Sequence, residues 1–226
     1  IRRPAPCVQA PDGLEPEAGE PPGALARWHA PNVILQKQPG FVSVLIRVPA
    51  GDLTPFHLRG MAHLARRHAG GVRLTATQNL LLRFVAATAV PPVYDALSAL
   101  GLSGAGAERL VDVTRCPGAE SCLSAIARPR GLADAVERLC HNGLSPMADW
   151  PLSVKISGCP NACGHHHIAD IGCFGVAVKA GDRHIPCYQL LVGGLTQADR
   201  TVFGKRLIRI PARRTPEALK RLVMFY

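Results

Sequence analysis

Long apolar runs, aromatic side chains and acidic residues are all scarce in this chain, and each scarcity excludes something. No apolar stretch reaches the length of a membrane span, which argues against a membrane-spanning protein, and no signal-peptide pattern opens the sequence. Aromatics make up 5% of the residues, too few to stack nucleic-acid bases, and no recognition motif accompanies the basic charge. Nucleic acid is therefore not the expected partner despite a formal charge of +10. Eight cysteines in 226 residues are too sparse for a secreted disulfide scaffold. A reducing cytoplasmic location is the expectation. The 26 lysines and arginines against 16 acidic residues favour an anionic partner, either an acidic protein or a carboxylate-rich cofactor. With 47% hydrophobic residues, the chain can build one large core or two modest ones.

What is present is four cysteines in two tight pairs. Cys116 and Cys122 are spaced C-x5-C, and Cys159 and Cys163 are spaced C-x3-C. Pro117, Gly118, Pro160 and Asn161 lie within these pairs and turn the backbone sharply, so that successive thiols can face one centre. Four convergent thiolates suit tetrahedral zinc or an iron–sulfur cluster. Zinc sites usually space cysteines by two to four residues, so the wider arm favours the larger cubane. Two disulfides, or buried thiols that merely pack, are the competing reading, which the compact spacing and the reducing compartment oppose. Cys7, Cys140, Cys173 and Cys187 stand apart at irregular spacing.

Residues 1–40 hold eight prolines and little apolar periodicity, and read as an extended arm or linker. Residues 41–107 alternate strand and helix in the order β-α-β-β-α. A strand at 41–48 stops at Pro49, and Thr54 and Pro55 open a helix that Gly70 and Gly71 end. Strands follow at 72–75 and 80–85, then a helix from Pro92. The order is that of a ferredoxin-like split sheet with helices on one face. Residues 108–226 read as a second, mixed α/β domain. A strand at 110–113 delivers the first cysteine pair and one at 152–157 the second. Helical stretches are expected at 122–126 and 132–139, further strands at 171–178, 188–192 and 207–210, and a last helix from Thr215. The fold class is thus α+β.

Several separated stretches together resemble the sirohaem and iron–sulfur sulfite/nitrite reductases. They are Thr75-Ala76-Thr77-Gln78-Asn79, the loop from Cys116 to Cys122, the run from Ser157 through Cys159 and Cys163 to Gly172, and the segment from Tyr188 to Gly194. The resemblance implies that Cys116, Cys122, Cys159 and Cys163 bind a [4Fe–4S] cluster and that Cys163 also reaches the iron of a sirohaem. It implies roles for Gly158, Pro160, Asn161 and Gly164 in shaping the second loop and offering amides to the thiolates. Gln78 and Asn79 would lie near the tetrapyrrole. The implied reaction is six-electron reduction of sulfite to sulfide or nitrite to ammonia, fed by a ferredoxin or flavoprotein donor.

Family members resemble two fused copies of one unit, and this chain resembles the second, cluster-bearing copy. Leu45 and Thr77 stand where the first copy carries anion-binding arginines, so no substrate-binding residue is carried over. The missing copy is expected upstream in the same polypeptide, as the Ile1 start and Pro-rich opening suggest, or in a partner subunit. A cluster-containing oxygenase of corrin synthesis and a non-enzymatic iron–sulfur module are the alternative readings. His165, His166 and His167 read as polar loop residues beside the cluster rather than as a metal site, since consecutive residues share no face of a helix or strand. His57, His63 and His68 are expected at the surface or edge of the first helix, and Phe174, Phe203, Phe225 and Tyr226 as core or packing residues.

Overall fold

The computed structural model describes residues 23–197 and 199–225. Within it the chain divides into two compact units, residues 1–107 and 108–226.

The first unit is a four-stranded antiparallel sheet in the order β1-β2-β4-β3, formed by β1 (Val33–Leu35), β2 (Phe41–Ile46), β3 (Gly71–Leu74) and β4 (Leu80–Ala86). Helices α1 (Ala24–Asn32), α2 (Pro55–His68) and α3 (Val90–Ala99) complete it. Met61 and Leu64 of α2 and Val93 and Leu97 of α3 share one buried cluster with Val44, Ile46, Leu80 and Leu82 of the sheet. Thr54 caps α2 through its hydroxyl, which accepts from the His57 amide at 3.3 Å, while His57 Nδ1 accepts from the Thr54 amide at 3.2 Å. This reciprocal pair closes the helix start, and Pro55 costs nothing there because its missing N–H has no intrahelical partner.

One position in β4 changes which side chains face inward. Leu80 and Leu82 are buried, but so is Val85, out of phase with them. Between them the β2–β4 register shifts, and Phe84 sits at φ 54, in the left-handed region. The extra residue is a bulge, which inverts the alternation along the strand. Gly70 faces it, and a Cβ at Gly70 would stand 3.0 Å from the Phe84 Cβ.

The Pro-rich reading of residues 1–40 fails from Ala24 onward, while residues 1–22 lie outside the described ones. Residues 24–32 are helical and 33–35 form a sheet strand. Trp28 is 1% exposed and packs on Tyr94 at 5.1 Å between ring centroids, and buried Asn32 donates to the Leu45 carbonyl at 2.8 Å. A large aromatic and a bonded amide secure this segment to the core, which outweighs its proline content.

The second unit is a five-stranded sheet in the order β11-β8-β7-β6-β5. Its strands are β5 (Thr114–Arg115), β6 (Val154–Ser157), β7 (Ile171–Ala180), β8 (Arg183–Val192) and β11 (Lys205–Pro211), and a small ribbon pairs β9 (Leu195–Thr196) with β10 (Thr201–Val202). β5, β6 and β7 run parallel; β7, β8 and β11 are antiparallel. Helices α4 (Pro129–His141) and α5 (Thr215–Phe225) pack on this sheet and on each other, with Leu132, Val136, Leu219 and Val223 in the core. Residues 122–126, expected to be helical, are turns, and α4 begins at Pro129. Phe174 is buried and Phe203, though exposed, packs on His167 at 5.6 Å between ring centroids, whereas Phe225 is 90% exposed; Tyr226 lies outside the described residues.

Candidate metal centre

Both cysteine loops leave the same end of the sheet. β5 and β6 are parallel neighbours, with Arg115 opposite Ile156. Cys116 follows directly on β5, and Gly158 and Cys159 follow on β6. Parallel strands need a long crossover, here containing α4, and their C-terminal ends then lie side by side. Chain distance between the pairs is thereby converted into proximity.

Gly158 joins the two loops. Its amide donates to the Cys116 sulfur at 3.1 Å. Its carbonyl accepts from the amides of Ile126 at 2.8 Å and Ala127 at 3.0 Å, both in the first loop. A Cβ there would meet Ala125 Cβ and Gly118 Cα at 3.0 Å, and a Cβ at Gly175 would come within 2.3 Å of the Gly158 carbonyl. The close backbone approach thus depends on residues without side chains. In the first loop the Gly118 carbonyl accepts from the amides of Ser121 and Cys122, which turns Cys122 back toward the strand end. Gly118 itself has φ 64 and packs against Pro129, with no room for a Cβ.

The second loop is clipped at its far end. Ser157 Oγ accepts from the Gly164 amide at 3.1 Å and lies 2.8 Å from His166 Nδ1. Gly164 passes so close to β6 that a Cβ would stand 2.2 Å from the Ile156 carbonyl. Ala162 and His165 both occupy the left-handed region, at φ 59 and 57, so the turn holds two strained non-glycine residues. Asn161 is exposed on this turn.

His166 departs from its expected role as a polar loop residue. It is fully buried, and its ring lies 4.2 Å from that of His167 and 4.7 Å from that of Phe174. Desolvation, followed by the charges of His167 and Arg206, lowers its pKa to about 4. It is a neutral structural imidazole, and its Nε2 has no hydrogen-bond partner among the described residues. Burial of a histidine in a polar triplet has no signal in the sequence, whereas His57 does take the helix edge expected of it.

Cys116 and Cys159 are each 8% exposed at the strand ends, while Cys122 and Cys163 are exposed on the loops. None of the four is in a disulfide. Among the described residues, no three His, Cys, Asp or Glu side chains are grouped as one metal ion would require. A cubane instead takes one thiolate at each separate iron corner. An N–H···S bond to one thiol, a glycine-lined backbone, two thiols at adjacent strand ends and two more on the loops those ends begin are a fitting donor set for such a cluster. Arg115, buried beside Cys116, pairs with Glu137 of α4 at 2.7 Å and fixes the end of β5 to that helix.

Gln78 and Asn79 belong to the first unit, in the turn between β3 and β4. Gln78 is exposed at φ 67. Asn79 is 2% exposed, and its Oδ1 accepts from the Val48 amide at 2.9 Å. Its amide donates to Thr75 Oγ1 at 3.0 Å and its carbonyl accepts from the Thr75 amide at 2.9 Å. Asn79 therefore serves as an internal clamp for the turn. Leu45, at the position noted for an arginine, is a buried core residue.

Two family domains match in sequence. The nitrite/sulfite reductase ferredoxin-like half domain matches residues 34–100, and the nitrite and sulphite reductase 4Fe-4S domain matches residues 106–226. This chain belongs to the nitrite and sulfite reductase family. It is 29% identical over 192 residues to the ferredoxin–nitrite reductase of Synechococcus elongatus, covering 84% of this chain and 37% of that one. It is 30% identical over 175 residues to sulfite reductase [ferredoxin] 2 of Mycolicibacterium paratuberculosis, covering 74% and 31%. The solved structure of Mycobacterium tuberculosis NirA superposes with a TM-score of 0.71 at 27% identity, over 95% of this chain and 39% of that one. The chain thus spans about a third of the length of these relatives. The family is one of oxidoreductases whose cofactors are a [4Fe–4S] cluster and sirohaem, and the α+β expectation agrees with its fold. Among the described residues no helix is long and apolar enough to cross a membrane.

Proposed function

We propose that this chain is the electron-delivery half of a sirohaem-dependent reductase acting on sulfite or nitrite, with Cys116, Cys122, Cys159 and Cys163 as the ligands of a [4Fe–4S] cluster. The observation that carries this reading is the Gly158 amide bonded to the Cys116 sulfur, which builds the two cysteine loops into one structure. A ligand thiolate gains from such a donor, because a charge-assisted N–H···S bond disperses its negative charge. The cluster, once bound, supplies single electrons to a reaction that needs six. The chain's own contribution is to hold the thiols. Buried Cys116 and Cys159 anchor the inner side, and the turns at Cys122 and Cys163 close the outer side.

Cys163 is exposed, so its thiolate is accessible to a second metal as well, which suits a bridge to the sirohaem iron. Asn161 and Gly164 shape that turn, the first on its outer surface and the second against β6. Of the two residues in the β3–β4 turn, Gln78 has the exposed side chain suited to tetrapyrrole contact, and Asn79 supports it by fixing the turn. The anion-binding side chains would come from the other copy of the unit, within the same polypeptide or in a partner subunit. Exposed Lys205 and Arg206 on β11 add to a basic surface suited to an acidic donor such as a ferredoxin.

Anaerobic preparation of the full-length protein tests this reading. Iron and acid-labile sulfide in equal amounts, near four of each per chain, and a sirohaem absorption spectrum are expected. Cys163→Ser should abolish magnetic coupling between haem and cluster. Zinc without sulfide would overturn the proposal, and parallel assays with sulfite and nitrite identify the substrate.

A further inference from the structure

Tyr188 is a core residue of the second unit with an unusual deficit. It is 2% exposed, and its hydroxyl has no hydrogen-bond partner among the described residues. Buried phenols normally find an acceptor, because leaving the O–H unmade costs its full desolvation. The surroundings indicate where one would be. Tyr188 pairs with Gly175 across the β8–β7 ladder. Gly175 in turn lies against the Gly158 carbonyl, and the Gly158 amide bonds the Cys116 sulfur. Side chains directly opposite one another in a sheet share a face, so Tyr188 stands on the face where the Gly158 backbone and Ala127 close over Gly175, next to the loop that Cys116 begins. The Cys173 and Cys116 thiols lie nearby, and a phenol carries its proton at neutral pH and can donate it.

Of these two sulfurs, Cys173 is the poorer acceptor. It is fully buried and its pKa is pushed up to about 12, which keeps it a neutral thiol. A metal-bound Cys116 would be a thiolate, and a charged sulfur is the stronger acceptor. We propose that the Tyr188 hydroxyl donates a hydrogen bond to the Cys116 sulfur in the cluster-loaded protein, opposite the Gly158 amide, and so raises the reduction potential of the cluster. The inference rests on the cluster assignment made above. Its physical basis is that donors to ligand sulfur stabilise the extra negative charge of the reduced state. Tyr188 is then a positioning and tuning residue, and it does not touch substrate.

The test is Tyr188→Phe in the full-length holoprotein. Iron and sulfide content should match the parent protein, the cluster midpoint potential should become more negative, and pulsed EPR in D2O should lose one exchangeable deuteron coupled to the reduced cluster. A Phe variant with full cluster content, unchanged potential and unchanged deuteron coupling would overturn the proposal. Tyr188→3,5-difluorotyrosine serves if the Phe variant fails to fold. It keeps the ring and strengthens the donor, so the potential should move positive, and an unmoved potential sinks the idea. A parent protein without iron and sulfide defeats the cluster assignment itself, and this inference with it. A parent with its cluster and silent variants defeats this inference alone.

Discussion

Gly158 and Cys116, 42 residues apart in the chain, are joined by a 3.1 Å N–H···S hydrogen bond. The same glycine's carbonyl takes two amides from the loop that Cys116 begins. Substitution at this crossing should therefore disturb both cysteine loops at once. Gly175→Ala drives a methyl to 2.3 Å from the Gly158 carbonyl and should cost about 1–3 kcal/mol, at or above the upper end if the backbone cannot shift. Gly131→Ala, inside α4 with nothing near its added methyl, should instead stabilise by about 0.5–1 kcal/mol. Urea unfolding of the three proteins checks the opposite signs, and iron loss to a chelator should be faster only in the Gly175 variant.

The Arg115–Glu137 pair predicts an asymmetry between single and double substitutions. Arg115 has 2% side-chain exposure and Glu137 18%, with a separation of 2.7 Å. Glu137→Leu alone removes the shorter ion pair of a buried guanidinium that keeps Asp134 at 3.8 Å, so it should cost less than the ~3–5 kcal/mol of a fully buried pair left unpaired. Arg115→Met with Glu137→Leu should recover most of that loss. Denaturation midpoints of the four proteins in the cycle decide it, and additive losses would refute the coupling.

His166 predicts an acid-sensitive fold. Its folded pKa of about 4 lies below the ordinary 6.5, so the unfolded chain binds the proton more readily. Stability should be full above pH 6.5 and fall as pH drops toward 4, by up to ~3 kcal/mol in total from this group. His166→Gln should flatten that part of the curve. Thermal melts from pH 7.5 to 4.5 measure it, and identical slopes in both proteins would show that the decline comes from elsewhere.

Trp28 should matter as much as any central core residue. Trp28→Ala removes a fully buried indole packed on Tyr94 and should cost about 3–5 kcal/mol. An arm lying outside the core would lose almost nothing. Chemical denaturation separates these outcomes directly.

These four sites also mark what the sequence revealed. The α2 boundaries were legible because Thr54, Pro55 and the paired glycines are local signals read one residue at a time. The strands entering the cysteine loops were legible in kind from their apolar alternation, although the first proved shorter and lay closer to Cys116. Trp28 was hidden because six prolines before it suggested an arm, and only tertiary packing reveals a buried indole. The Phe84 bulge was hidden because one inserted residue looks like ordinary alternation until the partner strand is known. Tyr188 and Gly175 are likewise meaningful only as cross-strand partners. Helical spacing at 122–126 was overridden by turns whose hydrogen bonds run to Gly118 and Gly158.

The parallel pairing of β5 with β6 has a consequence for how such a site can change over time. Cys116 and Cys159 are placed by two adjacent strand ends, so the crossover that connects those strands does not set their separation. The connection from α4 to β6 can be lengthened, shortened or exchanged while the socket keeps its dimensions, whereas the loop before α4 carries Cys122 and bonds to Gly158. A single residue inserted between Arg115 and Cys116, or between Ser157 and Cys159, would rotate or displace a thiol and ruin it. The centre is tolerant in the connection after α4 and intolerant in the two loops themselves, which makes it a transferable part.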